Sequence, residues 1–162
     1  MKCLLPLIIA LLMFGCTDNP SQVNTENIAL QNRMDSLEIK LNNTYKPGFG
    51  EFMSSIQTHH SKLWFAGKNK NWKLADFEIH EIMEALENIQ KQETERPETK
   101  MLGMLNPAID SVNKAIENKN YTLFNKNFIL LTNTCNNCHR ATNFEFNVIQ
   151  IPTSTPFTNQ DF

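Results

Sequence analysis

Residues 121–140 read YTLFNKNFILLTNTCNNCHR, and the spacing within them decides the fold class. Phe124, Phe128, Leu131, Cys135 and Cys138 recur at intervals of four, three, four and three. That interval repeats the turn of a helix, so all five side chains share one face. The helix this predicts begins near Asn120–Thr122 and carries an apolar stripe that must be buried against other elements.

Upstream, the same periodicity recurs three times. Asn106-Pro107 reads as a capping residue followed by proline at the first helical position, opening a helix that buries Ile109, Val112 and Ile116. A longer helix is predicted over about 72–92, with Ala75, Ile79, Ile82, Met83, Leu86 and Ile89 as its stripe. Another runs over about 50–66 through Met53, Ile56, His60 and Leu63, with Gly67 as its expected C-terminal stop. The charged run KQETERPETK (91–100), interrupted by Pro97, is expected to be an exposed connection. Four such helices with short connections predict an all-α domain over 49–146, an antiparallel four-helix bundle roughly 25–30 Å long.

Two regions flank that domain. Val23, Leu30, Leu37 and Thr44 fall on one seam of a heptad, and Asn27, Met34 and Leu41 on the other. The stripe is solid over about two heptads and predicts an amphipathic or coiled-coil helix at 27–46. Two fates are open to it: a stalk that forms a homo-oligomer through 23–45, or a helix packed on the protein's own body. Pro47-Gly48-Phe49-Gly50 closes it. At the other end, NVIQIPTSTPFTNQDF (147–162) holds Pro152 and Pro156 and is expected to be an irregular tail that folds back through Phe157 and Phe162.

Composition narrows the chemistry. Only five of 162 residues are glycine, too few for the phosphate-gripping loops of dinucleotide and nucleotide enzymes. Fifteen basic residues against 17 acidic give a net charge of −2 with no basic block, which argues against a nucleic-acid partner.

The N-terminus reads as an address. Met1-Lys2 precedes an apolar run from Leu4 to Phe14, too short for the about 20 residues of a spanning helix but suited to a signal peptide at 1–15. Met13-Phe14-Gly15-Cys16 resembles a bacterial lipobox, although Leu and a small residue are commoner where Met13 and Phe14 stand. An ordinary cleaved secretory signal is the alternative. Lipidation of Cys16 would anchor the chain to a membrane through acyl chains, with 16–26 as a polar tether. Either reading takes the protein out of the cytoplasm and into the cell envelope. Thr17, where an aspartate would resemble an inner-membrane retention signal, favours a periplasm-facing outer-membrane location. Cys3 lies in the discarded segment, so Cys135 and Cys138 alone remain to be explained.

Cys135-Asn136-Asn137-Cys138-His139 is C-x-x-C-H, the attachment pattern of a c-type haem. Two thiols three residues apart can form thioethers with the two vinyl groups of one porphyrin, and the adjacent histidine can then ligate the iron. A redox C-x-x-C would more naturally open a helix, where the N-terminus lowers the thiol pKa. A structural zinc site would need a second pair of ligands, and only scattered histidines remain. The reading is therefore one covalent haem c, held by Cys135 and Cys138, with His139 as axial ligand and Phe128 and Leu131 packed against its face.

From about residue 50 to 145 the chain resembles the class II cytochromes, the cytochrome c-prime group. The resemblance rests on four helices with the haem motif on the last. HSKLWFAGKNKNWKLADFE (60–78), NPAID (106–110) and LTNTCNNCH (131–139) further resemble a family of exported bacterial haem-motif proteins. Class II proteins often carry an aromatic and then a basic residue about a turn after the haem histidine. Thr142 and Asn143 stand there in this chain.

The other face of the iron would meet the first half of the helix at 50–66. His60 is the leading candidate for distal ligand or pocket residue, with Met53 and His59 as alternatives and a five-coordinate iron as the remaining possibility. Histidine–methionine ligation raises the reduction potential, whereas an open position would admit a small gas. Asp76, His80 and Glu84, four residues apart, read as a solvated face rather than a metal site. Trp64, Phe65 and Trp72 read as core. The expectation is a lipid-anchored monohaem cytochrome that transfers single electrons to an unidentified redox partner, and not an enzyme. The alternative is a binder or sensor of nitric oxide or carbon monoxide. Peroxidase-like chemistry ranks below both, for want of a distal His/Arg pair.

Overall fold

The computed structural model describes residues 20–42, 44 and 46–162, which fall into two compact units divided between Tyr45 and Lys46. The signal segment, Cys3, Cys16 and Thr17 lie outside the described residues. Among the described residues of the first unit, a helix, α1, runs from Pro20 to Asn42. The tether expected over 16–26 is thus helical from Pro20 onward. Proline is preorganised for a first helical turn, and no glycine or second proline interrupts the rest of the helix.

The second unit holds α2 (Phe49–Lys68), α3 (Trp72–Gln92), a 3₁₀ helix (Thr99–Leu105), α4 (Asn106–Glu117) and α5 (Tyr121–Ala141). All regular structure among the described residues is helical, as the three-and-four spacing required.

Three of these helices end in the same way, and none uses glycine. α2 passes through Asn69 to Lys70, whose φ is 59°. Lys70 N–H donates to the Gly67 carbonyl and Asn71 N–H to the Ala66 carbonyl, the paired bonds of a Schellman motif. Asn71 then caps α3 by accepting from Leu74 N–H. The sequence Asn118-Lys119-Asn120 repeats the device. Lys119 has φ 50°, the bonds run to Ile116 and Ala115, and Asn120 caps α5 through Leu123 N–H. Asn143, at φ 63°, closes α5 with bonds from Asn143 and Phe144 to Arg140 and His139. The turn Asn-Lys-Asn therefore ends one helix and starts the next within three residues. Four asparagines, Asn69, Asn71, Asn118 and Asn120, have this mechanical role.

Gly67 is not the stop that the sequence suggested. It lies inside the last turn of α2, buried, where an added Cβ would meet the Phe124 ring at 2.1 Å. Its missing side chain lets α2 approach α5, while Asn69 and Lys70 end the helix.

Packing follows the stripes. α2 contacts α3 and α5, and α4 contacts α3 and α5. Leu63, Ala75, Ile79, Ile89, Val112, Phe124 and Phe128 are wholly enclosed between them. Burying each large side chain of this kind contributes about 1.5–3 kcal/mol. Trp64, Trp72, Phe124 and Phe128 form one aromatic cluster with centroids 5.0–6.5 Å apart.

The connection after α3 is more structured than its charges suggested. Glu98, Leu102 and Leu105 are buried, the two leucines in the 3₁₀ helix that leads directly into α4. Asn106 is consequently the first residue of α4 and not its cap. The preceding Leu105 is already helical in φ and ψ, and Pro107 lies in the first turn. The C-terminal tail rests on α2: the Phe162 ring meets that of Phe65 at a 54° tilt, centroids 5.9 Å apart, and its carbonyl accepts from Asn69 Nδ2 at 2.9 Å. The Lys62 ammonium sits 5.4 Å from the Phe157 ring centroid.

Candidate functional site

Helix α5 carries Cys135, Cys138 and His139 in its last two turns. The Schellman turn at its end reverses the chain, so residues 144–149 come back alongside them. Two contacts fix this return. Asn136, between the cysteines, donates from Nδ2 to the Ile149 carbonyl and accepts from Ile149 N–H, both at 2.8 Å. His139 Nδ1 lies 2.6 Å from the Asn147 carbonyl. A carbonyl can only accept, so Nδ1 carries a proton, and in the neutral ring Nε2 is the nitrogen with the lone pair. A metal-ligating histidine is commonly oriented in this way.

Cys135, Cys138 and His139 line one cleft of about 240 Å³. Phe49, Met53, Ile56 and His60 of α2 line it as well, with Leu86 of α3, Leu102 and Leu105 of the 3₁₀ helix, and buried Glu98. Thr142, Phe144, Asn147 and Ile149 close the remaining wall. The lining is mostly apolar, with few polar groups, which is the usual character of a cofactor site.

The thiols are not activated. Burial, with Cys138 beside it, pushes the Cys135 thiol up to about 12. Burial and the Glu98 carboxylate push Cys138 up too. The pair is unbridged and lies at the C-terminal end of its helix, where the dipole disfavours a thiolate. This is the reverse of a dithiol redox centre. Among the described residues, no three His, Cys, Asp or Glu side chains are grouped to hold a bare metal ion. Asp76 and His80 lie exposed, with His80 Nδ1 donating at 2.7 Å to the Asp76 carbonyl. Arg96 bonds Glu98 through Nε and Nη2 and holds its carboxyl below the usual range.

The α2 side of the cleft separates the candidates for the distal position. His60 is 4% exposed and stacked 4.5 Å from the Phe128 ring. Its Nε2 meets Thr132 Oγ1 at 2.8 Å, and that hydroxyl already donates to the Phe128 carbonyl. Thr132 therefore accepts, and His60 carries its proton on Nε2. Burial lowers the His60 pKa to about 4, so the ring is neutral. The nitrogen a distal ligand would ordinarily offer is thus committed to α5.

His59 points elsewhere. Its Nδ1 meets Glu78 Oε2 at 2.6 Å, beside Lys62, whose ammonium is 3.5 Å from Glu78 Oε1. That cluster faces α3, and His59 does not line the cleft. Met53 does line it, and its thioether is the remaining donor among the three candidates.

Phe128 and Leu131, expected against the cofactor face, are core residues instead. Phe128 is enclosed by Trp64, Phe124 and His60, and Leu131 is buried in the same cluster. The helix face that carries all five stripe residues is long enough to serve two ends: its first half fills the core, and its last two turns open into the cleft. The apolar cleft walls from the 3₁₀ helix and from 144–149 escaped sequence reasoning. Leu102 and Leu105, three apart after Pro97, were the available signal for the first.

The donor set fits a covalently held porphyrin: two neutral thiols, a histidine with a free Nε2 and an apolar cleft. No helix among the described residues is long and apolar enough to cross a membrane. Comparison with family models, with curated proteins and with solved structures finds no match for this chain.

Proposed function

We propose that the second unit is a monohaem c-type cytochrome domain that carries single electrons, built as an antiparallel four-helix bundle related to the class II cytochromes. One observation carries the reading. The two thiols of C-x-x-C-H and a histidine with its Nδ1 already committed line the same apolar cleft. The pairs Gly67 with Phe124 and His60 with Thr132 run in opposite senses along α2 and α5, which supports the antiparallel arrangement.

Cys135 and Cys138 would hold the porphyrin through thioethers at its two vinyl groups, which thiol addition supplies without an oxidant. His139 would hold the iron through Nε2, with the Asn147 carbonyl keeping Nδ1 protonated. Haem held there supplies a one-electron iron couple. The apolar walls from Ile56, Leu86, Leu102 and Leu105 limit water at the site, and buried Glu98 lines it with its charge offset by Arg96.

The N-terminal segment adds a location. A signal at 1–15 and lipidation at Cys16 would place the domain in the cell envelope, on the periplasmic side of the outer membrane, near an unidentified redox protein.

Expression of the full chain with a haem-attachment system tests the reading. The expected product gains the mass of one haem and keeps its visible absorbance after acid–acetone extraction. The Cys135→Ser/Cys138→Ser double variant loses both. A folded wild-type protein without attached haem would sink the proposal.

A second reading rests on the His60–Thr132 bond. With the His60 Nε2 held by α5, Met53 is the remaining candidate donor from α2, and a haem that it did not ligate would bind carbon monoxide or nitric oxide. Ferrous spectra with and without carbon monoxide separate the two. A rapid shift in the wild type marks the gas binder. No shift in the wild type, with one appearing in Met53→Ala, marks the electron carrier.

A further inference from the structure

We propose that α1 pairs with α1 of a second copy of this chain as a parallel two-stranded coiled coil, in the register that sets Asn27 against Asn27. The proposal is independent of the haem reading and rests on the first unit alone. Leu30, Met34, Leu37 and Leu41 are 56–70% exposed along one seam of α1. Their spacing of four, three and four assigns Asn27, Met34 and Leu41 to the a positions and Leu30 and Leu37 to the d positions. Leucine at d suits a parallel pair. A single asparagine at a fixes register and strand number, because its amide is satisfied only by its own counterpart. In an antiparallel pair a positions face d positions, which would set Asn27 against a residue such as Leu37.

The flanking charges agree. Arg33 falls at g and Glu38 at e, five residues apart, the separation across which a parallel pair joins g of one helix to e of the other. Symmetry makes that contact twice. Neither side chain has an ion-pair partner among the described residues, and Glu26 at g meets the neutral Gln31 at e. A lipid surface fits less well. α1 carries three acidic residues (Glu26, Asp35, Glu38) against two basic ones (Arg33, Lys40), whereas interfacial helices carry a basic polar face.

The stripe is short, so the pair is weak in dilute solution and gains from any tether that raises local concentration. Full-length protein at high concentration provides the test. Leu37→Cys, at d, is compared with Asn32→Cys, on the outer face at f, after mild oxidation. The expected result is a covalent dimer at least tenfold more abundant for position 37. Equal yields, or no dimer from position 37, would overturn the pairing. Charge reversal then tests direction. Arg33→Glu or Glu38→Arg, each placed on the Leu37→Cys background, lowers the dimer yield several-fold. Co-expression of the two reversed chains restores it, because each then meets an opposite charge twice. Failure of the mixture to exceed either variant alone would overturn the parallel register. An unchanged unfolding midpoint of the second unit confirms that the variants are folded.

Discussion

α1 and α5 carry nearly the same spacing of apolar side chains and meet opposite fates. Leu30, Met34, Leu37 and Leu41 on α1 are more than half exposed, while Phe124 and Phe128 on α5 are 0% exposed. A three-and-four repeat announces that a helix has a face to bury, and says nothing of what will cover it. Three things distinguish α5. Its stripe is aromatic at the point where Gly67 removes a side chain opposite. Its start is tied to α4 by a three-residue turn. Its neighbours lie in the same unit.

The largest test of that contrast lies in the core. Phe128→Ala should lower the unfolding free energy by about 3–5 kcal/mol, since the ring is wholly enclosed and leaves a cavity. Leu37→Ala should leave the unfolding of the second unit unchanged in dilute solution. Denaturant unfolding followed by tryptophan fluorescence reads both, because Trp64 and Trp72 sit in the affected cluster. A matching loss from Leu37→Ala would erase the contrast between the two helices.

Acid provides the next test, through His60. Its folded pKa, about 4, lies below its unfolded value near 6.5, so between these pH values the unfolded chain binds the additional proton. The contribution is complete above about pH 6.5 and is lost as pH falls through 4. It amounts to on the order of 3 kcal/mol. Stability measured from pH 7 to 4 should therefore fall more steeply for wild type than for His60→Gln. Parallel slopes would mean that the ring is not buried neutral against Thr132.

A smaller loss, about 1–3 kcal/mol, is expected from Gly67→Ala, because the new methyl must displace a ring packed on all sides. Thermal unfolding at two scan rates checks it. The smallest effect has the opposite sign. Lys119→Gly should stabilise by up to about 1 kcal/mol, by relieving a left-handed backbone that costs a side-chain-bearing residue roughly 1–2 kcal/mol. A denaturant midpoint that falls instead would show that the lysine side chain contributes more than its backbone costs.

Much of the helical content was legible because it is local. The 72–92 helix agrees with α3, α2 differs from its expected bounds by a residue or two, and α5 starts within the expected 120–122, since apolar spacing and capping asparagines act within one turn. Sequence reasoning ran out where the deciding contact is distant. The choice among His59, His60 and Met53 depends on a hydroxyl 72 residues away from His60 and on Glu78 in the next helix. Gly67 looked like a helix stop because glycine often is one, and only Phe124 reveals its other use. The 3₁₀ helix was hidden by the charges around Pro97. The Asn-Lys-Asn turns were readable as a repeat, but their meaning depends on lysine taking a conformation it ordinarily avoids.

The return of residues 144–149 against C-x-x-C-H sets an order of events. A chain is made from its N-terminus, so the Asn147 carbonyl arrives after the two thiols and the histidine. Until it arrives the imidazole of His139 is free to hold its proton on either nitrogen, and Asn136 has no strand to grip. A nascent or unfolded chain therefore offers its cysteines from an open segment, and the histidine is set in one tautomer only when the last wall of the cleft closes.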